Sequence, residues 1–330
     1  MAYNYRHPNV PFLGGTLVKI DIFAHIMTEK YTEKYRKINP AIEKRVEFRS
    51  TAVVDLDVRL RLMNRYPDVL QVLTVANIPL ETFAPKVADA VDLAKTANEE
   101  LADLIEHYPD RFIAGVAAIP MNDVDEACKE AERAVKELGL KGVQIYSRIN
   151  GETLDQPKFE PLWETMTKLD LPVWIHPATN DNLDQDIGVF SWPFETSSAM
   201  YKLVTGGVMQ RHPDIKFIVH HCGAMVPFFQ KRIKWVLSLV PNIYPDLKQP
   251  EEYFRKFYVD TAVYGNTPSL MCGYDFYGPD HILYGTDAPL GPKFGMTGET
   301  AESIDRMDVP DEVKEKIFWR NASDLLLLPH

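Results

Sequence analysis

The stretch LPVWIHPATND, residues 171–181, carries the pattern that decides the fold: a short apolar run, a histidine at its end, then a loop broken by proline. A run this short and this apolar suits a strand buried on both faces, as in a parallel sheet. The pattern recurs along the chain. KIDIFAH (19–25) ends on His25, FIVHHCG (217–223) carries His220 and His221, and ILYGTDAP (282–289) leads to Asp287. Working outward from these gives eight apolar, β-branched runs, at 17–23, 69–76, 112–119, 142–146, 172–175, 216–219, 257–262 and 282–284.

Between the runs lie segments such as KVADAVDLAKTANEELADLIEHY and VDEACKEAERAVKEL, whose apolar residues recur every three or four positions, as in amphipathic helices. Eight strands alternating with helices predict a (β/α)8 TIM barrel, a single domain over residues 17–330 with an N-terminal extension over residues 1–16. A doubly wound open sheet is the competing arrangement. It lacks support because no GxGxxG turn follows the first run to cradle a dinucleotide. In a barrel the strand ends gather at one mouth, so residues far apart in sequence meet there. The stretch from Pro177 to Phe194, with Trp192, is expected to form a wall or lid at that mouth.

The formal net charge of -11 argues against general nucleic-acid binding, which needs clustered Lys and Arg. A few arginines inside a cleft can still favour an anionic small molecule. The three cysteines, Cys128, Cys222 and Cys272, have no short ligand spacing, so a reducing, cytoplasmic setting without disulfides is expected. The opening MAYNYRHPNVPFLGG does not read as a signal peptide, and no run is long enough to span a membrane.

Barrel geometry also sorts the histidines. His107, His212 and His281 precede strands and belong at the opposite, structural face, while His7 and His330 lie near the chain ends. His25, His176, His220 and His221 follow strands, as does Asp287. Imidazole nitrogen and carboxylate oxygen together suit zinc, manganese or iron. Consecutive residues of an extended strand point to opposite sides, so only one of His220 and His221 is expected to face the interior.

Nine segments taken in order resemble the amidohydrolase superfamily, in the branch that holds aminocarboxymuconate-semialdehyde decarboxylase and γ-resorcylate decarboxylase. They are KIDIFAHI, DVRLRLMN, YPDRFIAGVAAIPM, ELGLKGVQIYS, LPVWIHP, HHCGAMVPFFQKRI, YVDTA, YGTDAPLG and IFWRNASDLL. The resemblance implies one divalent ion held by His25, His176 and Asp287, with zinc the first expectation and manganese the second. Through the Pro227–Phe228 pair it marks His221 as the proton-transferring histidine, leaving His220 packed toward the helices. It also implies a substrate-binding arginine near Arg49, and a homodimer.

One position departs from the family. Phe23 stands where the first residue of a His-x-His pair is usual, and phenylalanine cannot bind a metal. Asp21, at the same strand parity, is a conceivable substitute. Phe23 and Trp192 could line an apolar substrate wall, although Phe23 could equally be barrel packing; Arg49 and Arg148 could clamp a carboxylate or form surface ion pairs. The function implied is nonoxidative decarboxylation of a small aromatic or unsaturated carboxylic acid, with Asp287 and His221 catalytic. Hydrolysis or hydration of a lactone, ester or amide uses the same residues, and a metal-free binding scaffold is the remaining reading of Phe23.

Overall fold

The computed structural model describes residues 12–13, 16–76, 78–178, 188–240 and 249–328. Most of the expected N-terminal extension, His7, His330 and the middle of the expected wall segment lie outside the described residues. Besides two short antiparallel pairs, Phe12–Leu13 with Thr16–Leu17 and Arg148–Ile149 with Glu152–Thr153, the described residues form eight parallel barrel strands in chain order: β1 (Lys19–Ile26), β2 (Val69–Val75), β3 in two pieces (Phe112–Gly115 and Ala117–Ala118), β4 (Val143–Tyr146), β5 (Val173–His176), β6 (Phe217–Val219), β7 (Tyr258–Asp260) and β8 (Ile282–Leu283). Neighbours pair in parallel in that same order.

Two places make this a closed barrel rather than an open sheet. Within β3 the chain breaks at Val116, so that its first piece pairs with β2 and its second with β4. At the other seam the Ile22 N–H donates to the Tyr284 carbonyl at 2.9 Å, and the His25 N–H to the Ala288 carbonyl at 2.6 Å. The strand β1 runs to Ile26, beyond the expected end at Phe23, so His25 is held inside a strand rather than in a loop.

Side chains alternate between two apolar environments. Ile20, Leu70, Val72, Ile113, Trp174, Ile218 and Leu283 fill the barrel interior. Leu73, Val75, Val143, Ile145, Val173, Phe217 and Val219 face the surrounding helices. Burying each such side chain contributes about 1.5–3 kcal/mol, which rigidifies the strands whose ends carry the polar residues. The helices follow their own local rules. Val124–Lys136 starts where the Asp123 carboxylate accepts from the Asp125 and Glu126 N–H groups, and it buries Ala127, Ala131 and Ala134 against its neighbours.

The register of β1 against β2 shifts between Asp21 and Ala24. This bulge places the adjacent Ile22 and Phe23 in one interior cluster, so the simple alternation that linked Asp21 to Phe23 fails. The Asp21 carboxylate accepts from the Thr286 N–H at 3.0 Å and the Thr286 hydroxyl at 2.6 Å. It therefore fastens β1 to the loop after β8, and the expectation of Asp21 as a substitute ligand is corrected. No helix among the described residues is long and apolar enough to cross a membrane.

Candidate metal centre

His25, His176, His220 and Asp287 meet at the C-terminal mouth of the barrel. His25 and His176 belong to the last residues of β1 and β5, His220 directly follows β6 and Asp287 sits in the loop after β8, and each is almost completely buried. Metal-ligating atoms of His25, His176 and His220 all lie within 4.8 Å of one another. Asp287 Oδ1 joins them at 3.0 Å from His25 Nε2 and 3.3 Å from His220 Nε2. Gly285 permits this approach, because a Cβ there would sit 2.8 Å from Asp260 Cβ and 3.0 Å from Ile22 Cγ2. Asp287 itself adopts a φ of 68°, which turns its carboxylate back over the barrel.

Partners outside the cluster fix which nitrogen of each ring faces inward. His176 Nδ1 lies 2.9 Å from the Pro177 carbonyl, which can only accept, so the proton is on Nδ1 and the lone pair on Nε2. His25 Nδ1 is 2.8 Å from Thr74 Oγ1, while its Nε2 is buried and has no hydrogen-bond partner despite its closeness to Asp287. The backbone at His25 is held as well, since Arg59 Nη1 donates to its carbonyl at 2.6 Å while the same guanidinium grips Gln71. Buried imidazole nitrogens with open lone pairs beside a carboxylate fit a divalent cation, which supplies the missing partner.

His220 is inside this cluster, which corrects the expectation that it packs toward the helices. The reason is parity. Ile218 faces the interior, so two residues on His220 faces it too. Its ring lies between Phe23, at a centroid distance of 4.1 Å and 9° between planes, and His221, at 4.1 Å and 15°. Its Nδ1 meets the Asp260 carboxylate. Burial alone lowers the His220 pKa, but Asp260 and then Asp287 outweigh it and raise it to about 10 in the metal-free chain. Asp287 shows the reverse balance: burial opposes its charge, and the neighbouring His220 and His25 rings hold it well below the usual carboxylate range.

His221 takes a φ of 59° and Cys222 one of 55°, so the chain leaves extended geometry just after His220. Left-handed conformations of this kind cost roughly 1–3 kcal/mol each and concentrate at functional sites. The turn stacks His221 on His220 while its other neighbour is Trp192, at 6.4 Å between centroids and 10° between planes. His221 Nδ1 has no hydrogen-bond partner. Burial first, and the charge on His220 second, lower its pKa to about 4.

A cavity of about 390 Å³ opens over the cluster, lined by Arg49, His176, Trp192, His221, Tyr264 and Asp287 among others. A larger one of about 780 Å³ adjoins it and shares Trp192, His221 and Tyr264. Sequence reasoning thus placed Arg49 and Trp192 at the mouth. Phe23 differs from the wall expectation. It is fully buried beneath the imidazoles, lines neither cavity and belongs to the barrel interior. Arg148, half-buried, forms an ion pair with the buried Glu195 at 2.9 Å, a structural role and not a clamp at the cavity. His107, His212 and His281 are tied to the Asp103 carbonyl, to Glu160 and to the Arg255 carbonyl, respectively.

Sequence reasoning gave no role to Asp260, Thr74 and Tyr264. Asp260 ends the strand within FYVDTA as Asp287 follows ILYGT, and Thr74 shares the inward parity of Leu70 and Val72, so both had a signal. Tyr264, whose hydroxyl donates to Asp287 Oδ2 at 3.3 Å, sits in a loop and had none.

The fold and site define a barrel protein with a buried histidine–aspartate cluster at its catalytic face. The chain belongs to the amidohydrolase family, whose sequence profile matches residues 21–328. It is 33% identical to a 2-amino-3-carboxymuconate-6-semialdehyde decarboxylase of Dictyostelium discoideum, over 82% of this chain and 76% of that protein. It is 31% identical to a gamma-resorcylate decarboxylase of Rhizobium sp., over 82% of this chain and 87% of that one. Among solved structures, a dihydroxybenzoic acid decarboxylase from Polaromonas sp. with bound manganese and the inhibitor 2-nitroresorcinol superposes with a TM-score of 0.79. It is 26% identical, and the match covers 95% of this chain and 98% of that one.

Proposed function

We propose that this protein is a metal-dependent nonoxidative decarboxylase acting on a small aromatic carboxylic acid. The observation that carries the reading is the convergence of His25, His176 and Asp287 beneath a cavity that also presents His221 and Arg49. Its volume of about 390 Å³ lies within the usual range for small-molecule sites, about 300–1,000 Å³. The kinship with decarboxylases of aromatic and unsaturated acids supports the same chemistry.

His25 Nε2, His176 Nε2 and Asp287 would hold the ion. Manganese is the first candidate because the related Polaromonas structure contains it, and zinc suits the same donors. A divalent ion would supply Lewis acidity toward the oxygens of a hydroxylated acid. Arg49, exposed at the rim, is placed to meet the incoming carboxylate. Trp192 walls the cavity beside His221 and offers a flat apolar face to a ring.

Release of CO2 leaves an electron pair on the ring carbon, and a proton must replace the lost group. His221 is the group placed to deliver it, because it borders the cavity and its Nδ1 is not engaged elsewhere. With a pKa lowered to about 4, its imidazole is neutral at pH 7 and acts as a relay, taking a proton on one nitrogen and passing one from the other. The test is CO2 release from a panel of hydroxybenzoic and unsaturated carboxylic acids, run beside lactones, esters and amides with the manganese-loaded protein. CO2 release from a hydroxybenzoate is expected. Hydrolysis without CO2 release from any acid would overturn the reading.

A further inference from the structure

We propose that His220 is itself a ligand of the metal, bound through Nε2 and oriented by Asp260, and that it occupies the coordination place that Phe23 leaves vacant. The inference rests on the metal reading above and assigns this chain a donor set of His25, His176, His220 and Asp287.

Three observations carry it. First, the atoms converge: His220 offers a ligand atom within 4.8 Å of those of His25 and His176, and its Nε2 is 3.3 Å from Asp287 Oδ1. Second, the far nitrogen is already taken. Nδ1 meets the Asp260 carboxylate, and a carboxylate behind an imidazole is the arrangement that fixes the tautomer and strengthens a ligating histidine. Asp260 is itself held by the Cys222 N–H at 3.3 Å and the Ala262 N–H at 2.9 Å, so the pair is rigid.

Third, Phe23 shows what replaced its donor. Its fully buried ring lies face to face with His220 at 4.1 Å, and also packs at 5.8 Å from the His25 ring and 6.4 Å from the His176 ring. A phenyl ring in that corner donates nothing, but it fixes the plane of the imidazole above it while His221 covers the other face. His220 therefore cannot swing away without opening a void against Phe23. The aromatic side chain at position 23 and the histidine at position 220 act as one unit, a platform and the ligand resting on it.

The experiment uses the full-length protein, metal-depleted and titrated with Zn²⁺ against a chromophoric chelator, and reads affinity without reference to activity. His220→Ala is expected to weaken binding about 100-fold or more, and Asp260→Asn about 10- to 100-fold, the usual cost of losing the partner behind a ligand. His221→Ala should stay within a few-fold of the wild type. In the double variant Phe23→His with His220→Ala, affinity should recover, because a donor returns to the same corner. Zinc should shift the Nε2 resonances of His25, His176 and His220 in ¹⁵N-histidine spectra of the wild type, a measurement that survives any failure of a variant to fold. Wild-type zinc binding with an unshifted His220 nitrogen, or with full affinity in His220→Ala, overturns this proposal and leaves the metal reading standing. No binding by the wild type overturns both.

Discussion

Asp260→Asn in the metal-depleted chain isolates the electrostatics at the heart of the site. An asparagine retains an Oδ1 that can accept from the Cys222 and Ala262 N–H groups, so the main loss is the negative charge facing His220. Burial lowers the His220 pKa, while Asp260 first and Asp287 next raise it to about 10, above the ordinary 6.5. A raised folded-state pKa gives stability that is complete below about pH 6.5 and vanishes as pH rises through about 10. Linkage then assigns the protonated ring about 4 kcal/mol at pH 7 and only about a quarter to a half of that at pH 9. Because Asp260 is the leading attractive cause, its neutralisation is expected to cost about 2–3 kcal/mol at pH 7 and less than about 1 kcal/mol at pH 9. Urea unfolding followed by circular dichroism at the two pH values measures both. A penalty that is constant with pH, or that grows toward pH 9, refutes the argument that Asp260 stabilises a charged His220.

Three further outcomes follow from the same geometry. His221→Asn should lower the rate of CO2 release about 10²- to 10⁴-fold, the usual contribution of a positioned proton donor, while metal content measured on the same sample stays at the wild-type level. Arg49→Gln should raise KM for the acid substrate about 10- to 100-fold with a smaller effect on kcat, as steady-state assays would read, because one charge-assisted contact is lost. Tyr264→Phe removes the hydroxyl that donates to Asp287 Oδ2, and chelator competition should show metal binding about tenfold weaker.

What the sequence could and could not convey follows from the physics of particular residues. The barrel was legible because buried parallel strands must be apolar on both faces, and runs such as VWI and FIV before a histidine are hard to build otherwise. That topology alone gathers His25, His176, the His220–His221 pair and Asp287 at one mouth, whereas the choice of His25, His176 and Asp287 as ligands comes from the family resemblance. His220 was misplaced because a short motif outweighed strand parity, although Ile218 two residues earlier already pointed inward. The Asp21 error has a different source. A bulge shifts the register of β1 between Asp21 and Ala24, and no proline or glycine in KIDIFAHI announces it. Asp260 carried a strand-end signal, whereas Tyr264 reaches Asp287 only through a loop whose path no local pattern encodes.

The central claim is that the strand-end cluster is a working metal site despite Phe23. It is tested most directly by elemental analysis of the protein purified under manganese-replete conditions, paired with CO2 release from 2,6-dihydroxybenzoate and related acids before and after chelation. The account predicts stoichiometric metal in the wild type, its loss in His176→Ala and Asp287→Ala, and CO2 release that stops on chelation and returns with the metal. Full CO2 release from the metal-depleted protein, or a wild type that takes up no metal, would contradict it.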